Sequence, residues 1–299
     1  MDLLQPRPNQ IVLDATTGGG GHTAHLIAAT APRGRVVGLD RDPAALEAAR
    51  QRLDSQRLTL LQRDFGEVDG VLDELGLDGL DGLLADLGVS SHQLDRAERG
   101  FAFSHPEGPL DMRMDPSASG PTAAKLVASM SRDELARLFA DLGEEPRART
   151  AARAVVQARH RSPIRTTGRL AEVLARALAR PGKRPRRHPA TRCFQALRIA
   201  VNRELESLDR LLEAAPRVLK PGGRMVLISY HSLEDRRVKQ GMRWLAGACR
   251  CPPRVPECRC GAKPLGRLLT PRVVRPGRDE VARNPRARSA RLRAFVRAA

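Results

Sequence analysis

The sequence predicts an α/β protein in which a parallel sheet is interrupted by a helical segment. Short apolar runs that end near an acidic residue alternate with helical patterns, as in IVLDAT (11–16), GRVVGLDRD (34–42), RLTLLQRDF (57–65) and DGLLADLGVS (81–90). Residues 106–192 then contain no strand-like run. Buried parallel strands joined by helices produce the first pattern, and a helical insertion of domain size produces the second.

The helices and the remaining strands are predicted from local patterns. Pro43 opens a helical pattern over residues 43–53, since proline fits the first turn of a helix. Ser131 and Glu134 have the spacing of a capping box at a helix start. The segment after the insertion indicates one long helix over residues 192–218, a fifth strand in LKPGGRMVLISYHS, and two closing strands in RLLTPRVVR and SARLRAFVRA.

We therefore predict two domains. Residues 1–105 and 193–299 form one discontinuous domain that contains the sheet. Residues 106–192 form an all-helical, basic insertion.

Positive charge is concentrated in two segments. The 299-residue chain has a formal net charge of +18, and residues 147–192 alone carry +13, while residues 263–297 carry +9. This distribution is typical of proteins that bind the phosphate backbone of a nucleic acid, and it argues against a small-molecule acceptor. The sequence contains no apolar run of membrane length and no basic-then-apolar leader pattern, so we expect a cytoplasmic protein with no membrane contact.

A glycine-rich turn follows the first predicted strand. In LDATTGGGGHT (13–23), four consecutive glycines lie between Asp14 and His22. Such turns bind either the pyrophosphate of a dinucleotide or the amino-acid portion of S-adenosyl-L-methionine (SAM). The pattern G-x-G-x-x-A from Gly19 to Ala24 fits a dinucleotide, with Asp40 about twenty residues further on to bind a ribose. Asp40 suits the ribose hydroxyls of either ligand.

The charge of the surrounding acids favours SAM. A pyrophosphate is anionic, whereas SAM carries a sulfonium and an ammonium group that nearby carboxylates attract. Asp14 precedes the glycines and Asp86 ends the fourth predicted strand. Asp64 and Phe65, after the third strand, suit the amino group and the ring of an adenine. We therefore expect SAM as the cofactor, although each acid taken alone is more typical of a helix N-cap.

Several long blocks resemble the RsmH/MraW family of methyltransferases, which act on bacterial small-subunit ribosomal RNA. The blocks extend from Asp14 to Arg293 and include GGGGHT, LDRDP, DLGVSSHQLD, ERGFAFSHPEGPLDMRMD, RHPATRCFQALRIAVNRELESLD, ISYHSLEDRRVK and NPRARSARLR. The resemblance implies a Rossmann-like class I SAM-dependent methyltransferase sheet with an inserted all-helical domain. It also implies methyl transfer to N4 of a cytidine in the decoding centre, at the P site, of 16S rRNA in the 30S ribosomal subunit.

The same resemblance assigns the cofactor contacts. They fall on Gly20, Gly21, His22, Asp40, Phe65, Asp86 and Gln93. The residue patterns alone indicate five of these positions. His22 by itself is typical of a helix start, and Gln93 of a polar surface. Two features depart from the family: His92 stands where proline is usual, and the family usually has a further segment before the first strand.

Asp86 is the first candidate for orienting the reacting centre. An acceptor on the N–H atoms of a cytosine amino group favours its attack and takes the proton afterwards. Many amino-group methyltransferases have an Asp/Asn-Pro-Pro-aromatic motif here, but this chain reads Asp-Leu-Gly-Val over residues 86–89. The acceptor atom N4 is therefore implied by the family resemblance alone.

YHSLEDR, after the fifth strand, supplies further candidates. His231 and Glu234 are predicted to be catalytic, and Ser232 and Asp235 are candidates for base contacts. The alternative is purely structural, with Ser232 and Asp235 forming a capping box at the start of the next helix.

The candidates for RNA binding lie at the end of the insertion. They are Lys183, Arg184, Arg186, Arg187, His188 and Arg192. A target base inside folded RNA must be splayed out before it is reached, which requires a basic binding surface. Two other function classes remain open: a ribosome assembly factor that binds SAM or a nucleotide without transfer, and a methyltransferase for DNA or small molecules.

Four of the five cysteines form two C-x-C pairs in CRCPPRVPECRCG. Cys249, Cys251, Cys258 and Cys260 are residue types that bind zinc. The pairs are tighter than the usual C-x2-C spacing, and the family that the chain resembles does not depend on a metal. We therefore expect free thiols and no metal.

Overall fold

The computed structural model describes residues 1–179, 188–252 and 257–299. The chain divides into two compact units: the first comprises Met1–Gly88 and Leu205–Ala299, and the second comprises Val89–Glu204. The second unit is longer at both ends than the predicted insertion of residues 106–192. The reason is packing, because Phe101 on one side and Phe194 and Leu197 on the other are buried in the same apolar cluster as the insertion helices.

The first unit contains a seven-stranded sheet. The strands are β1 (Ile11–Asp14), β2 (Arg35–Asp40), β3 (Leu58–Gln62), β4 (Leu80–Asp86), β5 (Leu219–Ser229), β6 (Gly266–Leu268) and β7 (Arg291–Arg297). Their order is β3-β2-β1-β4-β5-β7-β6. β1 to β5 are parallel, and β7 is antiparallel to both β5 and β6. The Rossmann-like fold class is confirmed, with its topological switch point between β1 and β4.

Alternate residues of the central strands enter two separate cores. Leu13, Val37 and Leu83 belong to a cluster on one face of the sheet. Their neighbours Val12, Val36 and Leu84 belong to another cluster. Successive side chains of a strand point to opposite faces, so strands buried on both faces carry near-continuous apolar runs.

Helices connect the strands of the first unit. They are α1 (Gly21–Ala29), α2 (Pro43–Arg52), α3 (Val68–Leu75), α10 (Glu204–Val218), α11 (Ser232–Leu245) and α12 (Arg278–Arg283). Pro43 is in the first turn of α2, as predicted, and Asp42 caps that helix by accepting from the Ala44 N–H.

The second unit is helical. Its helices are α4 (Ser91–Asp95), α5 (Ala123–Ser129), α6 (Arg132–Asp141), α7 (Ala148–Arg161), α8 (Thr167–Leu178) and α9 (Thr191–Asn202). The predicted capping box of α6 is confirmed, because Ser131 and Glu134 each accept a hydrogen bond from the other's backbone N–H. Leu135, Phe139 and Val155 are fully buried in its core.

The single long helix predicted over residues 192–218 is wrong. The chain forms α9 and α10, separated by Arg203 in the left-handed region with φ of 51°. Asn202 accounts for the break. Its side chain accepts from the Met114 N–H at 2.7 Å and donates to the Met112 carbonyl at 2.8 Å. These buried contacts hold the end of α9 within the second unit.

Among the described helices, none has both the length and the apolar character needed to cross a membrane.

Candidate active site

Three aspartates lie at the carboxyl edge of the parallel sheet. Asp14, Asp40 and Asp86 are the last residues of β1, β2 and β4. Asp14 is paired in register with Gly38 of β2 and with Leu84 of β4, so the three strand ends are neighbours. This edge at the switch point is where α/β sheets bind their ligands.

The glycine turn after β1 leaves open space at two of its residues. Gly20 has φ of 79°, and a Cβ there would meet Leu53 at 2.7 Å, so the fold itself requires glycine at that position. A Cβ on Gly19 or Gly21 would meet no atom of the described structure within 4 Å. Neither intrachain packing nor backbone conformation requires glycine at these two positions, which is expected where a ligand approaches the backbone.

Asp40 organises the turn. Its Oδ2 accepts the Gly18 N–H at 2.8 Å, and its Oδ1 accepts the Asp42 N–H at 2.9 Å. Burial raises the pKa of the Asp40 carboxyl to about 6, and the two backbone hydrogen bonds oppose that shift. The carboxylate thereby joins the end of β2 to the glycine turn, and each oxygen retains a lone pair for a ligand.

Asp14 is fully buried, and its carboxylate accepts hydrogen bonds from other residues of the protein. Its Oδ2 accepts the Thr23 hydroxyl at 2.6 Å and its Oδ1 accepts the Thr16 N–H at 3.2 Å. Complete burial raises the pKa of Asp14 above its usual range. The residue anchors α1 to the end of β1. An attraction to a cationic ligand would therefore be exerted by its charge and not by direct contact.

Asp64 and Phe65 follow β3. The Asp64 carboxylate is occupied by the Gly66 N–H and the Ser207 hydroxyl, both at 2.6 Å, and Arg41 lies 3.3 Å away. Asp64 therefore has a structural role as an N-cap in the described structure. The Phe65 ring is partly buried against the core on that face of the sheet.

Asp86 is the accessible carboxylate of the edge. Its side chain is 29% exposed, and Oδ2 lies 3.6 Å from Nε2 of His22, whose side chain is 44% exposed. The Tyr230 hydroxyl donates to Oδ1 at 2.8 Å, and the Asp86 N–H donates to the Thr16 hydroxyl at 2.6 Å. The interaction with Asp86 raises the pKa of His22. The structure thus brings together His22 and Asp86, two of the predicted cofactor contacts.

His231 and Glu234 form a helix cap. Glu234 Oε2 accepts the N–H groups of Tyr230 at 2.9 Å and His231 at 3.3 Å, while His231 Nδ1 accepts the Glu234 N–H at 3.4 Å. The alternative box of Ser232 with Asp235 is wrong, because α11 begins one residue earlier than that spacing requires. Asp235 instead accepts from Arg293 at 2.8 Å. The predicted catalytic role of His231 and Glu234 stays a prediction.

Tyr230 is the site residue that the sequence analysis did not single out. It joins two groups, since its hydroxyl donates to Asp86 and its backbone N–H donates to Glu234. Burial and the adjacent Asp86 raise the pKa of the phenol. One sequence feature could have pointed to Tyr230: it is the only tyrosine of the chain, and it comes directly after a strand end.

The remaining predicted residues belong to the second unit. Gln93 is buried and forms a capping box with Ser90 at the start of α4, so its predicted cofactor contact stays a prediction. His188 stacks on Phe103 with ring centroids 4.4 Å apart, and Arg192 is exposed in the first turn of α9. The predicted residues Lys183, Arg184, Arg186 and Arg187 lie outside the described residues.

The sheet order and an open glycine turn beside strand-end carboxylates define a cofactor-binding α/β enzyme of the methyltransferase class. Residues 1–298 match the MraW methylase family, and the chain belongs to that family. It is a SAM-dependent methyltransferase.

Relatives of similar length support this membership. The chain is 52% identical to "Ribosomal RNA small subunit methyltransferase H" of Geobacter sulfurreducens, over 98% of this chain and 94% of that protein. The protein of the same name from Anaeromyxobacter dehalogenans is also 52% identical, with the same coverage. The one from Symbiobacterium thermophilum is 48% identical over 99% of this chain and 93% of that protein.

Proposed function

We propose that the protein methylates 16S rRNA of the small ribosomal subunit, at N4 of a cytidine in the decoding centre, at the P site. The name shared by relatives that are about half identical supports the rRNA substrate. The choice of N4 rests on the family resemblance. One observation carries the chemistry: Asp86 is an accessible carboxylate, aligned by Tyr230, at the edge where the glycine turn is open.

The residues of the first unit fit SAM. The open space at Gly19 and Gly21 accommodates the amino-acid portion against the backbone, and Gly20 supplies the turn. Asp40 is positioned to accept the ribose hydroxyls, because its two oxygens retain lone pairs beyond those used by Gly18 and Asp42. Phe65 offers an apolar ring for the adenine.

Asp86 binds and orients the acceptor in this proposal. SAM would supply an electrophilic methyl group, and its sulfur would leave as a neutral thioether when the S–CH3 bond breaks. Oδ2 of Asp86 accepts an N–H of the cytosine amino group, which turns the nitrogen lone pair toward the methyl group. The nitrogen gains a positive charge as the N–C bond forms, and the carboxylate stabilises that charge and takes the released proton. His22 and Tyr230 hold the carboxylate in position from its two sides.

The second unit offers a basic groove for the RNA backbone. The groove lies between α7 and α8, and its charged lining residues are Arg153, Arg161, Arg169, Glu172 and Arg176. Glu172 pairs with Arg169 at 2.7 Å and Arg176 at 2.6 Å. Arg153 and Arg161 are exposed and form no ion pair with any acid in the described part of the chain. Exposed arginines without an acidic partner are suited to bind phosphate groups.

A ribosomal substrate also implies a cytoplasmic location for the protein.

The proposal is tested by offering the enzyme three acceptors together with labelled SAM. These are protein-free 16S rRNA, 30S subunits that lack the modification, and duplex DNA. We expect label in the rRNA of 30S subunits and none in DNA. Binding of SAM and of 30S subunits without any transfer would instead identify a ribosome assembly factor, and label in DNA would identify a different methyltransferase.

A further inference from the structure

The two C-x-C pairs lie in the connection between α11 and β6, outside the candidate active site. The described parts of this connection are residues 246–252 and 257–265. Its ends are held together, because the Leu265 N–H donates to the Leu245 carbonyl at 2.8 Å. The connection therefore begins and ends at neighbouring points of the core. Contacts within the connection itself must stabilise it.

The sulfur atoms of Cys249, Cys251, Cys258 and Cys260 converge on one point. The Sγ–Sγ distances are 3.3 Å for Cys249–Cys258 and Cys258–Cys260, 3.7 Å for Cys249–Cys260 and 3.9 Å for Cys251–Cys258. All four sulfur atoms lie within 4.8 Å of one another. Each pair thus contributes both of its sulfurs to a single cluster, although the pairs are separated by six residues.

These separations match a tetrahedron of thiolates. A zinc ion with four sulfur ligands at about 2.3 Å places the ligands about 3.8 Å apart along each edge of the tetrahedron. A disulfide bond requires about 2.05 Å between two sulfurs and leaves the other two unconstrained. The observed distances exceed a bond and are shared among all four atoms, which distinguishes the cluster from two disulfides.

A backbone N–H within each cysteine pair donates to a sulfur of the other pair. Arg250 lies between the first two cysteines and donates its N–H to Cys260 Sγ at 3.4 Å. Arg259 lies between the last two and donates its N–H to Cys251 Sγ at 3.4 Å. The Cys251 N–H donates to Cys249 Sγ at 3.3 Å. Such donors stabilise the negative charge of metal-bound thiolates, as other groups around a metal site do.

Apolar packing does not explain why the sulfurs converge. Cys249, Cys258 and Cys260 are exposed, and so are the described residues 257–265. No buried residue of the three apolar clusters belongs to these described parts of the connection. Four neutral thiols gain little from such close contact at a wet surface, whereas four thiolates would repel each other unless a cation lay between them.

We propose that Cys249, Cys251, Cys258 and Cys260 form a tetrahedral zinc site. Four sulfur ligands fill the coordination sphere, so the site is structural and orders the connection between α11 and β6. Zn²⁺ with four thiolates has a net charge of about −2, and the cations Arg250, Arg259 and Lys263 are neighbours of the cysteines in sequence. The arrangement favours a metal where the C-x-C spacing alone led us to expect free thiols.

Metal analysis of the full-length protein tests this proposal. We expect about one zinc per chain after purification without added metal, and less than about a tenth of that in Cys249→Ser/Cys258→Ser. Cys193→Ala removes the fifth cysteine, which is buried outside the cluster, and should keep the zinc. A wild-type chain that retains less than about a fifth of a zinc per chain after reduction, zinc addition and dialysis would overturn the proposal.

A second measurement does not depend on the folding of a variant. Wild-type protein in which the zinc is exchanged for Co²⁺ should show the d–d absorption of tetrahedral cobalt and a thiolate-to-cobalt charge-transfer band. Four thiols should react with a thiol reagent only after a chelator is added. Octahedral cobalt spectra, or four thiols that react at once in the metal-loaded protein, would contradict the site.

Discussion

The Tyr230 hydroxyl donates a 2.8 Å hydrogen bond to Oδ1 of Asp86, although the two residues are 144 positions apart in sequence. A tyrosine hydroxyl is a hydrogen-bond donor at neutral pH, and burial raises the pKa of this phenol further. Oδ1 is thereby engaged, and Oδ2 lies 3.6 Å from Nε2 of His22. The two oxygens of this carboxylate therefore have different partners, and in the proposed function Oδ2 is the oxygen that accepts the substrate amino group.

Tyr230→Phe should slow methyl transfer without weakening SAM binding. The variant keeps the ring and removes only the donor, so the Asp86 carboxylate loses its alignment. A hydrogen bond to a charged group contributes about 1.5–3 kcal/mol, which corresponds to at least about a tenfold lower single-turnover rate. Single-turnover rates and calorimetric SAM affinities of both proteins provide the test. An unchanged rate would show that the hydroxyl does not prepare the carboxylate for the reaction.

Gly21→Ala should stabilise the fold slightly and yet weaken SAM binding. Gly21 is the first residue of α1, alanine is a better helix former than glycine, and the added Cβ meets no protein atom within 4 Å. If the space belongs to the cofactor, the methyl group occupies it and lowers SAM affinity by about tenfold or more.

Gly70→Ala is the matched control for that experiment. Gly70 lies within α3, and a Cβ there also meets nothing within 4 Å. It should raise the unfolding temperature in the same way and leave SAM affinity unchanged. Equal SAM affinities for the Gly21 and Gly70 variants would remove the glycine turn from the cofactor site.

SAM affinity should decrease as the pH falls through about 6, because the ribose hydroxyls require an ionised Asp40. The α-amino group of a ligand titrates higher, near pH 7.7–8.0, and does not interfere. Asp40→Asn should bind SAM about tenfold more weakly at pH 7 and lose most of this pH dependence. Calorimetry from pH 5 to 7 provides the data. A slope that persists in Asp40→Asn would point to another group, such as His22.

The same pKa shift has the opposite effect on stability. Between its ordinary pKa of 3.8 and about 6, Asp40 binds a proton more tightly in the folded than in the unfolded protein. The contribution of Asp40 to the free energy of unfolding therefore falls as the pH rises through this window. Denaturant unfolding of Asp40→Asn should show a weaker fall than the wild type between pH 4 and 6. Identical curves would contradict the raised pKa.

Arg153→Gln/Arg161→Gln should weaken binding to 30S subunits and reduce its salt dependence. Removing one arginine–phosphate interaction lowers the slope of log K against log salt by about 0.7–0.9. SAM affinity should not change, because neither arginine is among the predicted cofactor contacts. Arg33→Gln/Arg35→Gln removes two exposed arginines at the amino end of β2 and serves as the control. Equal slopes for the two double variants would mean that the groove does not bind the RNA backbone.

The sequence predicted those features that depend on neighbouring residues. The strand ends, the glycine turn and the Ser131–Glu134 cap are each encoded within a few positions, where apolar runs and capping chemistry act directly. The Tyr230–Asp86 hydrogen bond depends on the adjacency of β4 and β5, which no local pattern specifies. The C-x-C spacing likewise did not specify that the four cysteine sulfurs lie within 4.8 Å of one another.

Local patterns also failed where tertiary contacts prevailed. The apolar periodicity over residues 192–218 continues through Arg203, but the buried side chain of Asn202 ends α9 there. A shift of one residue at the start of α11 made Glu234, and not Asp235, the capping partner. In the first case one predicted helix is two helices, α9 and α10, and in the second the start of the helix was misplaced by one residue.

The proposed function is tested most directly by identifying the methylated nucleoside and the dependence of its formation on Asp86. Unmodified 30S subunits are incubated for a single turnover with wild-type protein or Asp86→Asn, and the digested nucleosides are analysed by mass spectrometry, with SAM affinity measured for both proteins. We predict N4-methylcytidine with the wild type. For Asp86→Asn we predict a rate lower by about a hundredfold or more, because the amide cannot stabilise the charged nitrogen or take its proton. A methyl group on carbon five or on the ribose, or a near-normal rate with Asp86→Asn, would contradict the account.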